Sequence, residues 1–184
     1  KEDFEKDNEA LFKLNDDLSG KNQINTTFET WALATYFEDV ISYANNRLYD
    51  MSKGRYTFLL GKGKDNRGQK GLDVSVLDSY TGKIRDSSSF SGGELFIASL
   101  SLALGLTDAV TNRNGGIQLD SLFIDEGFGT LDFDTQEITI DTLLQLQENK
   151  MVGIISHIEF LKNAVHSQIY VEKTTSGSKI HIKS

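Results

Sequence analysis

The stretch LFIDEGFGTLD at residues 122–132 decides the fold, because an apolar run in it ends in two adjacent carboxylates, Asp125 and Glu126. A short apolar run of this kind is typical of a buried strand. Ligands bind at the carboxyl ends of the strands in parallel α/β sheets. Asp125 is therefore a candidate magnesium ligand, and Glu126 is a candidate for orienting or deprotonating an attacking water. The alternative is that both are solvated or capping carboxylates.

A glycine turn, Ser91-Gly92-Gly93-Glu94, opens an apolar helix that we predict over residues 95–110. Backbone N–H groups at a helix start are unpaired, and the helix dipole favours an anion there. The two glycines let the backbone approach a phosphate, and Ser91 can donate from its hydroxyl. The alternative interpretation is an ordinary helix N-cap.

A second apolar strand is predicted over residues 152–156, and His157 follows it. Because both strands end at one sheet edge, we expect His157 to lie beside Asp125, within reach of a terminal phosphate or a water. A structural histidine is the alternative. A serine nucleophile at Ser156 is disfavoured because no G-x-S-x-G pattern exists, and one histidine among carboxylates disfavours a transition-metal site.

The order of elements predicts an α/β fold with a largely parallel sheet, since strands alternate with helices from residue 119 onward. Residues 1–17 carry a narrow apolar seam typical of the end of a coiled coil. An amphipathic helix with a core-facing apolar stripe is predicted over residues 27–51, and it should end near Lys53-Gly54, where Gly can take a left-handed cap conformation. Two hairpins complete the pattern, one of strands 56–60 and 72–76 and one of strands 168–172 and 179–182. The seam residues are Phe4, Leu11, Leu14 and Leu18.

Composition bounds the class of protein. The 184 residues carry 38% hydrophobic side chains and a net charge of −8, which argues against non-specific nucleic-acid binding by the domain as a whole. Residues 47–85 are an exception, with nine basic against four acidic side chains, and predict either a surface for a phosphate backbone or a solvated hairpin. No apolar run approaches the length of a membrane span, and the lack of Cys fits a reducing compartment.

No stretch matches the phosphate-cradling loop G-x-x-x-x-G-K-[ST]. The chain also lacks an initiator Met and a signal-peptide pattern. We therefore expect a segment of a longer protein, with the nucleotide cradle supplied elsewhere.

Three stretches together carry a family resemblance: FSGGELFIASLSLALGL at 90–106, LFIDEGFGTLD at 122–132 and ISH at 155–157. Their order and spacing resemble the C-terminal ATPase lobe of ABC-type ATPases, most closely the SbcC family, relatives of the SMC proteins. The resemblance implies the C-terminal half of an ABC-type ATPase head, with the root of a coiled coil at its N-terminus. It extends from about Phe28 onward, and Phe90 departs from the family's more frequent Leu.

The resemblance also implies roles for individual residues, with ATP and Mg²⁺ as the ligands. Asp125 would be the Walker B magnesium residue, Glu126 the catalytic base and His157 the switch histidine. Asp132 would belong to the D-loop, which communicates across a dimer. The signature motif, which would contact ATP held by the opposing protomer, comprises Ser91, Gly92 and Gly93.

Partners follow from the same resemblance: an N-terminal ATPase lobe with the Walker A motif, a second copy, an SbcD-type nuclease, and DNA. Residues 1–20 would end the coiled coil and residues 21–184 would form the lobe of a cytoplasmic ATPase regulating cleavage of DNA ends and hairpins. Without the other lobe, we expect this chain alone to be inactive. The alternatives are a non-catalytic dimerisation or nuclease-docking module and a transporter nucleotide-binding subunit.

Overall fold

The computed structural model of the chain describes residues 8–61, 73–112, 119–146, 150–175 and 177–183. The chain divides into two compact units, Lys1–Gln118 and Leu119–Ser184, which are described in turn. The predicted boundary near residue 20 falls in the turn between the first two helices, and the two units divide elsewhere, after residue 118.

The first unit begins with helices α1 (Glu9–Leu18) and α2 (Phe28–Met51). Thr27 caps α2, since its hydroxyl accepts a hydrogen bond from the Thr30 N–H at 3.1 Å. The predicted end of α2 is confirmed at Gly54, whose φ of 77° is a left-handed conformation and whose N–H donates to the Tyr49 carbonyl at 2.7 Å.

The apolar stripe of α2 is buried only along its C-terminal half. The sequence predicted a core-facing stripe over the whole helix, and the structure corrects this prediction. The large side chains of the N-terminal half stand open to solvent among the described residues, and these are Phe28, Trp31, Leu33 and Tyr36. The buried side chains are Val40, Ile41, Ala44, Leu48 and Met51.

A three-stranded antiparallel sheet follows α2. Its strands are β1 (Tyr56–Leu60), β2 (Val74–Asp78) and β3 (Lys83–Arg85), in the order β1-β2-β3. The β1–β2 pairing confirms the first predicted hairpin, whose glycine-rich loop lies mostly outside the described residues. Asn45 of α2 joins the helix to the sheet, because its side chain bonds both the N–H and the carbonyl of Phe58, at 2.7 and 3.2 Å.

Helix α3 (Gly92–Asn112) is the central helix of the first unit and packs closely on α2. A Cβ atom at Gly105 would lie 2.6 Å from the Ala44 backbone nitrogen and 2.7 Å from the Val40 carbonyl, so only glycine fits this crossing. Arg47 and Asp108 add an ion pair between the two helices at 3.3 Å. The helix is buried on one face, including Ile97, Leu100 and Leu104, while Leu95 and Leu106 are exposed.

Length and composition alone would let α3 cross a membrane, since its 21 residues include a window of mean hydropathy 1.4. No helix of that length and hydropathy was expected from the sequence. The buried face that α3 presents to the first unit's core identifies it as a core helix.

The second unit contains the parallel part of the fold. Strands β4 (Ser121–Asp125) and β5 (Met151–Ile155) pair in parallel, joined by helix α4 (Phe133–Leu146). Helix α5 (Glu159–Ala164) follows, and β6 (Gln168–Thr174) and β7 (Gly177–Lys183) form the predicted terminal hairpin. The α/β class is therefore confirmed. Among the described strands, one pair is parallel and the others are antiparallel.

Candidate functional site

The turn Ser91-Gly92-Gly93, hereafter the signature turn, leads into α3 in the first unit. The Glu94 N–H donates to the Ser91 hydroxyl oxygen at 3.3 Å, and the Ser91 N–H donates to the Glu94 carboxylate at 2.8 Å. This reciprocal pair is a capping box. The N-cap interpretation of Ser91 is therefore correct, and it is compatible with phosphate binding. The cap uses a lone pair of the Ser91 oxygen and leaves the hydroxyl proton to donate.

Glu94 is held in its charged form. Partial burial raises the pKa of its carboxyl, but hydrogen bonds from Arg85, Tyr56 and the Ser91 N–H outweigh burial and hold that pKa at about 2. No specific role was predicted from the sequence for the side chains of Glu94, Arg85 and Tyr56. The S-x-x-E pattern of a capping box could have identified Glu94. No local sequence pattern indicates that Arg85 or Tyr56 binds the Glu94 carboxylate.

Asp125, Glu126 and His157, hereafter the acid–histidine edge, lie where β4 and β5 end in the second unit. The Glu126 N–H donates to the Ile155 carbonyl at 2.9 Å, which extends the β4–β5 ladder by one bond. His157 Nδ1 lies 3.3 Å from Glu126 Oε1. The structure thus brings His157 to the edge where the strand pattern predicts it. Both side chains are open to solvent, Glu126 at 62% and His157 at 78% exposure.

The backbone at Glu126 is strained. Its φ of 57° lies in the left-handed region, which residues other than Gly, Asn and Asp rarely adopt. Gly127 follows with a φ of 96°, so the chain turns sharply straight after β4. Such strain persists where surrounding structure enforces it, and it concentrates at functional residues. The left-handed conformation of Glu126 was not predicted from the sequence.

Asp125 could hold a magnesium ion with few protein ligands. Its side chain is exposed at the end of β4. Within the described part of the chain, no cluster of three or more His, Cys, Asp or Glu residues could hold a metal. Magnesium commonly binds through one or two carboxylates plus substrate phosphates and waters, so a lone carboxylate at a strand end fits this ion. A cage made only of protein ligands is not what these residues offer.

Asp132 caps helix α4. Its carboxylate accepts hydrogen bonds from the Thr135 N–H at 3.0 Å and from the Thr135 hydroxyl at 2.8 Å. The preceding loop is fixed by Gln136, whose amide donates to the carbonyls of Phe128 and Leu131 at 2.9 and 3.2 Å. The buried Phe128 ring anchors the loop's first turn. Asp132 thus has a structural task besides the predicted D-loop role, which stays a prediction.

One face of the β4–β5 pair is apolar and uncovered within the described residues. Phe123, Met151 and Ile155 project from it with exposures of 69%, 62% and 59%, and we call this the bare face. The Phe123 ring lies across Gly153, where a Cβ atom would come within 2.6 Å of it. Asp125 belongs to the same face, because it pairs with Ile155 in the register.

Comparison with known proteins identifies the family of this chain. The family model described as "SbcC/RAD50-like, Walker B motif" matches residues 64–145. Over 172 residues, the chain is 46% identical to the C subunit of the nuclease SbcCD from Treponema pallidum (strain Nichols), covering 92% of this chain and 16% of that protein. It is 45% identical over 179 residues to the corresponding protein of Staphylococcus aureus (strain JH9), covering 97% and 18%. The chain thus spans less than a fifth of these curated relatives.

Solved structures agree on the fold. A chain from a study of ATP-driven dimerisation and DNA-stimulated activation of SMC ATPases matches with a TM-score of 0.66 at 14% identity, covering 84% of this chain and 89% of that one. The Smc head domain of Pyrococcus furiosus with an extended coiled coil, bound to the C-terminal domain of ScpA, matches with a TM-score of 0.64 at 15% identity, covering 84% and 37%. The likeness shows that the fold is that of part of an SMC-type ATPase head.

Proposed function

The chain belongs to the SbcC family of ATPases, and from this premise we propose that it is the C-terminal lobe of a head that binds and hydrolyses ATP. The observation that carries the proposal is the acid–histidine edge, where a strained Glu126 meets His157 at the end of two parallel strands. In this proposal the head regulates a partner nuclease of the SbcD type that cleaves DNA ends and hairpins in the cytoplasm.

Hydrolysis would proceed by attack of water on the γ-phosphate. Asp125 would hold Mg²⁺, which neutralises charge on the phosphate oxygens. Glu126 would accept the proton of the attacking water, and ADP would leave with the electron pair of the cleaved bond. The exposure of Glu126 supports this role, because the water must reach its carboxylate from outside the unit.

His157 would act on the same water or on the terminal phosphate. Its Nδ1 faces the Glu126 carboxylate, so a proton on Nδ1 is the one shared with Glu126. The other ring nitrogen, Nε2, would be the one left for the terminal phosphate or the attacking water.

The bare face supports the existence of an N-terminal lobe with a Walker A motif. Parallel strands are almost always buried on both faces, and a two-stranded sheet is marginal by itself. The three exposed apolar side chains of β4 and β5 therefore need a cover. We propose that the N-terminal lobe supplies it and also brings the phosphate-cradling loop to Asp125. We call the two lobes together the assembled head.

A second head would complete the nucleotide site. The signature turn presents a glycine backbone at the start of a long helix, which suits a phosphate held by the opposing protomer. In this arrangement ATP joins two assembled heads and hydrolysis releases them. Ser91, Gly92 and Gly93 act on the nucleotide of the partner head, and Asp132 transmits the state of the dimer.

The nuclease would dock near the coiled-coil root. Helix α1 carries an exposed apolar side, comprising Leu11, Leu14 and Leu18, which supports an interaction there. Changing Leu14 to Asp in the assembled head should abolish co-purification with the partner nuclease, while Lys13→Asp, an adjacent change, should retain it. Retention by Leu14→Asp would contradict docking at this helix.

DNA contact by the basic stretch at residues 47–85 has less support than its charge count predicted. Three of its arginines are neutralised in ion pairs, Arg47 with Asp108, Arg55 with Asp78 and Arg85 with Glu94. DNA remains a proposed ligand of the assembled head, and the basic stretch is a weak candidate for its site.

The decisive experiment uses the assembled head with Glu126→Gln. We expect turnover to fall by roughly 10³-fold, since the general base is lost, while ATP binding is retained and dimers accumulate. ATPase assays and sedimentation with ATP measure the two effects. Glu137→Gln, an exposed glutamate on α4, is the matched control and should hydrolyse normally. Unchanged turnover in Glu126→Gln would refute the assignment, and a head without ATPase activity would favour a non-catalytic docking module.

A further inference from the structure

Three elements of the first unit converge on the Glu94 carboxylate. Tyr56 of β1 donates its hydroxyl to Glu94 Oε1. Arg85 of β3 donates Nη1 to Oε1 at 3.1 Å and Nη2 to Oε2 at 3.2 Å, which is the two-pronged geometry of a strong arginine–carboxylate pair. The Ser91 N–H completes the set at 2.8 Å from Oε2. A plain capping box needs only the last of these bonds.

Arg85 also holds the segment that precedes the signature turn. Its Nη2 donates to the Ser89 carbonyl at 2.7 Å and its Nε to the Ser89 hydroxyl at 3.3 Å. The guanidinium carbon lies 5.1 Å from the centre of the Phe90 ring and 6.0 Å from that of Tyr56. The Arg85 side chain therefore binds Ser89 before the signature turn and Glu94 after it.

The charges of the cluster are fixed around neutral pH. Burial, followed by the hydrogen bond to Glu94, raises the pKa of Tyr56 to about 12, so its hydroxyl keeps the proton that it donates. The hydrogen bond to Glu94 raises the pKa of Arg85 above its usual value. The acceptor and both donors thus keep the same protonation state across the range in which an ATPase works.

We propose that Arg85 and Tyr56 are positioning residues for the signature turn, acting through the Glu94 carboxylate. The inference rests on the proposed function, because it concerns how the turn meets ATP on a partner head. Glu94 occupies the Ser91 N–H and locks its orientation. The first N–H groups of a helix have no intrahelical acceptor, so those of Gly92 and Gly93, with the Ser91 hydroxyl proton, would be presented to a ligand from a fixed backbone.

A fixed signature turn improves association because its backbone loses little conformational entropy when the partner head binds. Loosening it should weaken ATP-driven dimerisation and leave ATP binding to a single head unchanged, since the turn serves the other protomer's nucleotide. A purely stabilising role of Arg85 predicts the opposite: a lower melting temperature with unchanged dimerisation of the folded heads.

The test uses the assembled head carrying Glu126→Gln, which traps ATP-bound dimers. Arg85→Gln removes the charge, and Tyr56→Phe removes only the hydroxyl. Arg85→Lys keeps the charge but cannot form the two-pronged pair with the Glu94 carboxylate. Lys83→Gln is the matched control, since Lys83 is an exposed cation on the same strand. Sedimentation equilibrium with ATP gives the dimer dissociation constant, and a fluorescent ATP analogue gives the affinity of single heads under dilute conditions.

We expect Arg85→Gln to weaken dimerisation by roughly tenfold or more, the scale of a lost charge-assisted bond, with unchanged ATP affinity of single heads. Tyr56→Phe and Arg85→Lys should give smaller losses, and Lys83→Gln none. If Arg85→Gln heads do not fold, the two milder variants decide the question.

The outcomes separate the two proposals. A Glu126→Gln head that forms no ATP-dependent dimer overturns the proposed function itself. Dimers that form with equal strength in the Arg85, Tyr56 and Lys83 variants leave the proposed function standing and overturn the positioning role.

Discussion

The signature turn and the acid–histidine edge are built in opposite ways, although both are proposed to act on ATP. The signature turn is supported by a closed set of bonds within its own unit, from Arg85, Tyr56 and Glu94. In the part of the chain that the structure describes, the acid–histidine edge is held by a side-chain contact of 3.3 Å between Glu126 and His157, and both side chains are largely exposed.

This difference indicates which half of the site is complete in the single chain. The signature turn has its shape before any nucleotide or partner arrives, so it can act as a rigid donor toward another head. In the acid–histidine edge, Asp125 belongs to the bare face, and the Glu126 and His157 side chains are largely exposed within the described residues. Its final geometry would come from the N-terminal lobe and from the nucleotide.

The largest expected effect concerns the crossing of α3 on α2 at Gly105, since α3 is the helix that follows the signature turn. Gly105→Ala should lower the free energy of unfolding by about 3 kcal/mol, because the new methyl group would meet the backbone of Ala44 and Val40 below 3 Å. Gly129→Ala is the matched variant near the acid–histidine edge, where the nearest atom outside its chain neighbours, Ile158 Cδ1, is 3.8 Å away.

Urea unfolding of the assembled head measures both changes, and Gly129→Ala should stay within about 0.5 kcal/mol of the parent. Equal losses from the two glycine variants would contradict the contrast between a closed and an open region.

The next effect concerns pH. The Glu94 carboxyl has a folded pKa of about 2 against an ordinary 4.5, so its ionised form stabilises the fold above pH 4.5. That stabilisation is lost as pH falls from 4.5 toward 2 and amounts to about 2 kcal/mol after allowance for its partial exposure. The gap in unfolding free energy between the parent and Glu94→Gln should therefore be largest at neutral pH and shrink in acid.

A series of urea titrations across this pH range checks the prediction. Lys83→Gln is the control, since it removes an exposed charge from the same strand as Arg85, and its gap should not follow the titration of Glu94. A gap for Glu94→Gln that does not depend on pH would show that the carboxylate charge contributes nothing to the support of the signature turn.

The smallest effect separates the two tasks of Asp132. Asp132→Ala should destabilise the head by about 1 kcal/mol through loss of the α4 cap, whereas Asp132→Ser keeps a capping oxygen and should cost only a few tenths. If Asp132 also communicates across the dimer, Asp132→Ser should still lower ATP-driven turnover. Normal turnover with normal stability would reduce Asp132 to a helix cap.

The sequence predicted the local elements and the polar ends of the strands well. The helix over residues 27–51, the strands that precede Asp125 and His157, and both hairpins follow from periodicity and turn residues, which are local signals. The placement of His157 at the sheet edge where Asp125 lies followed from a rule of topology, that neighbouring parallel strands end at one edge. Its contact with Glu126 was added by the structure.

What the sequence did not predict depends on long-range packing or on a single dihedral angle. Arg85 reaches Glu94 only because β3 pairs with β2, and its neighbours in sequence give no sign of it. The positive φ of Glu126 is a single dihedral angle next to the ladder bond to Ile155, and the periodicity of the sequence carries no signal for it. The exposed N-terminal half of α2 was misjudged because an amphipathic stripe indicates what can be buried, and not what covers it.

The bare face has a consequence for how such a head is made. In the proposed polypeptide the N-terminal lobe is synthesised first. It is therefore already present to cover Phe123, Met151 and Ile155 when these residues leave the ribosome. Produced on its own, this chain would expose three large apolar side chains on an open sheet, and we expect its copies to aggregate through them. Co-expression of the N-terminal lobe with this chain should therefore give protein that does not aggregate.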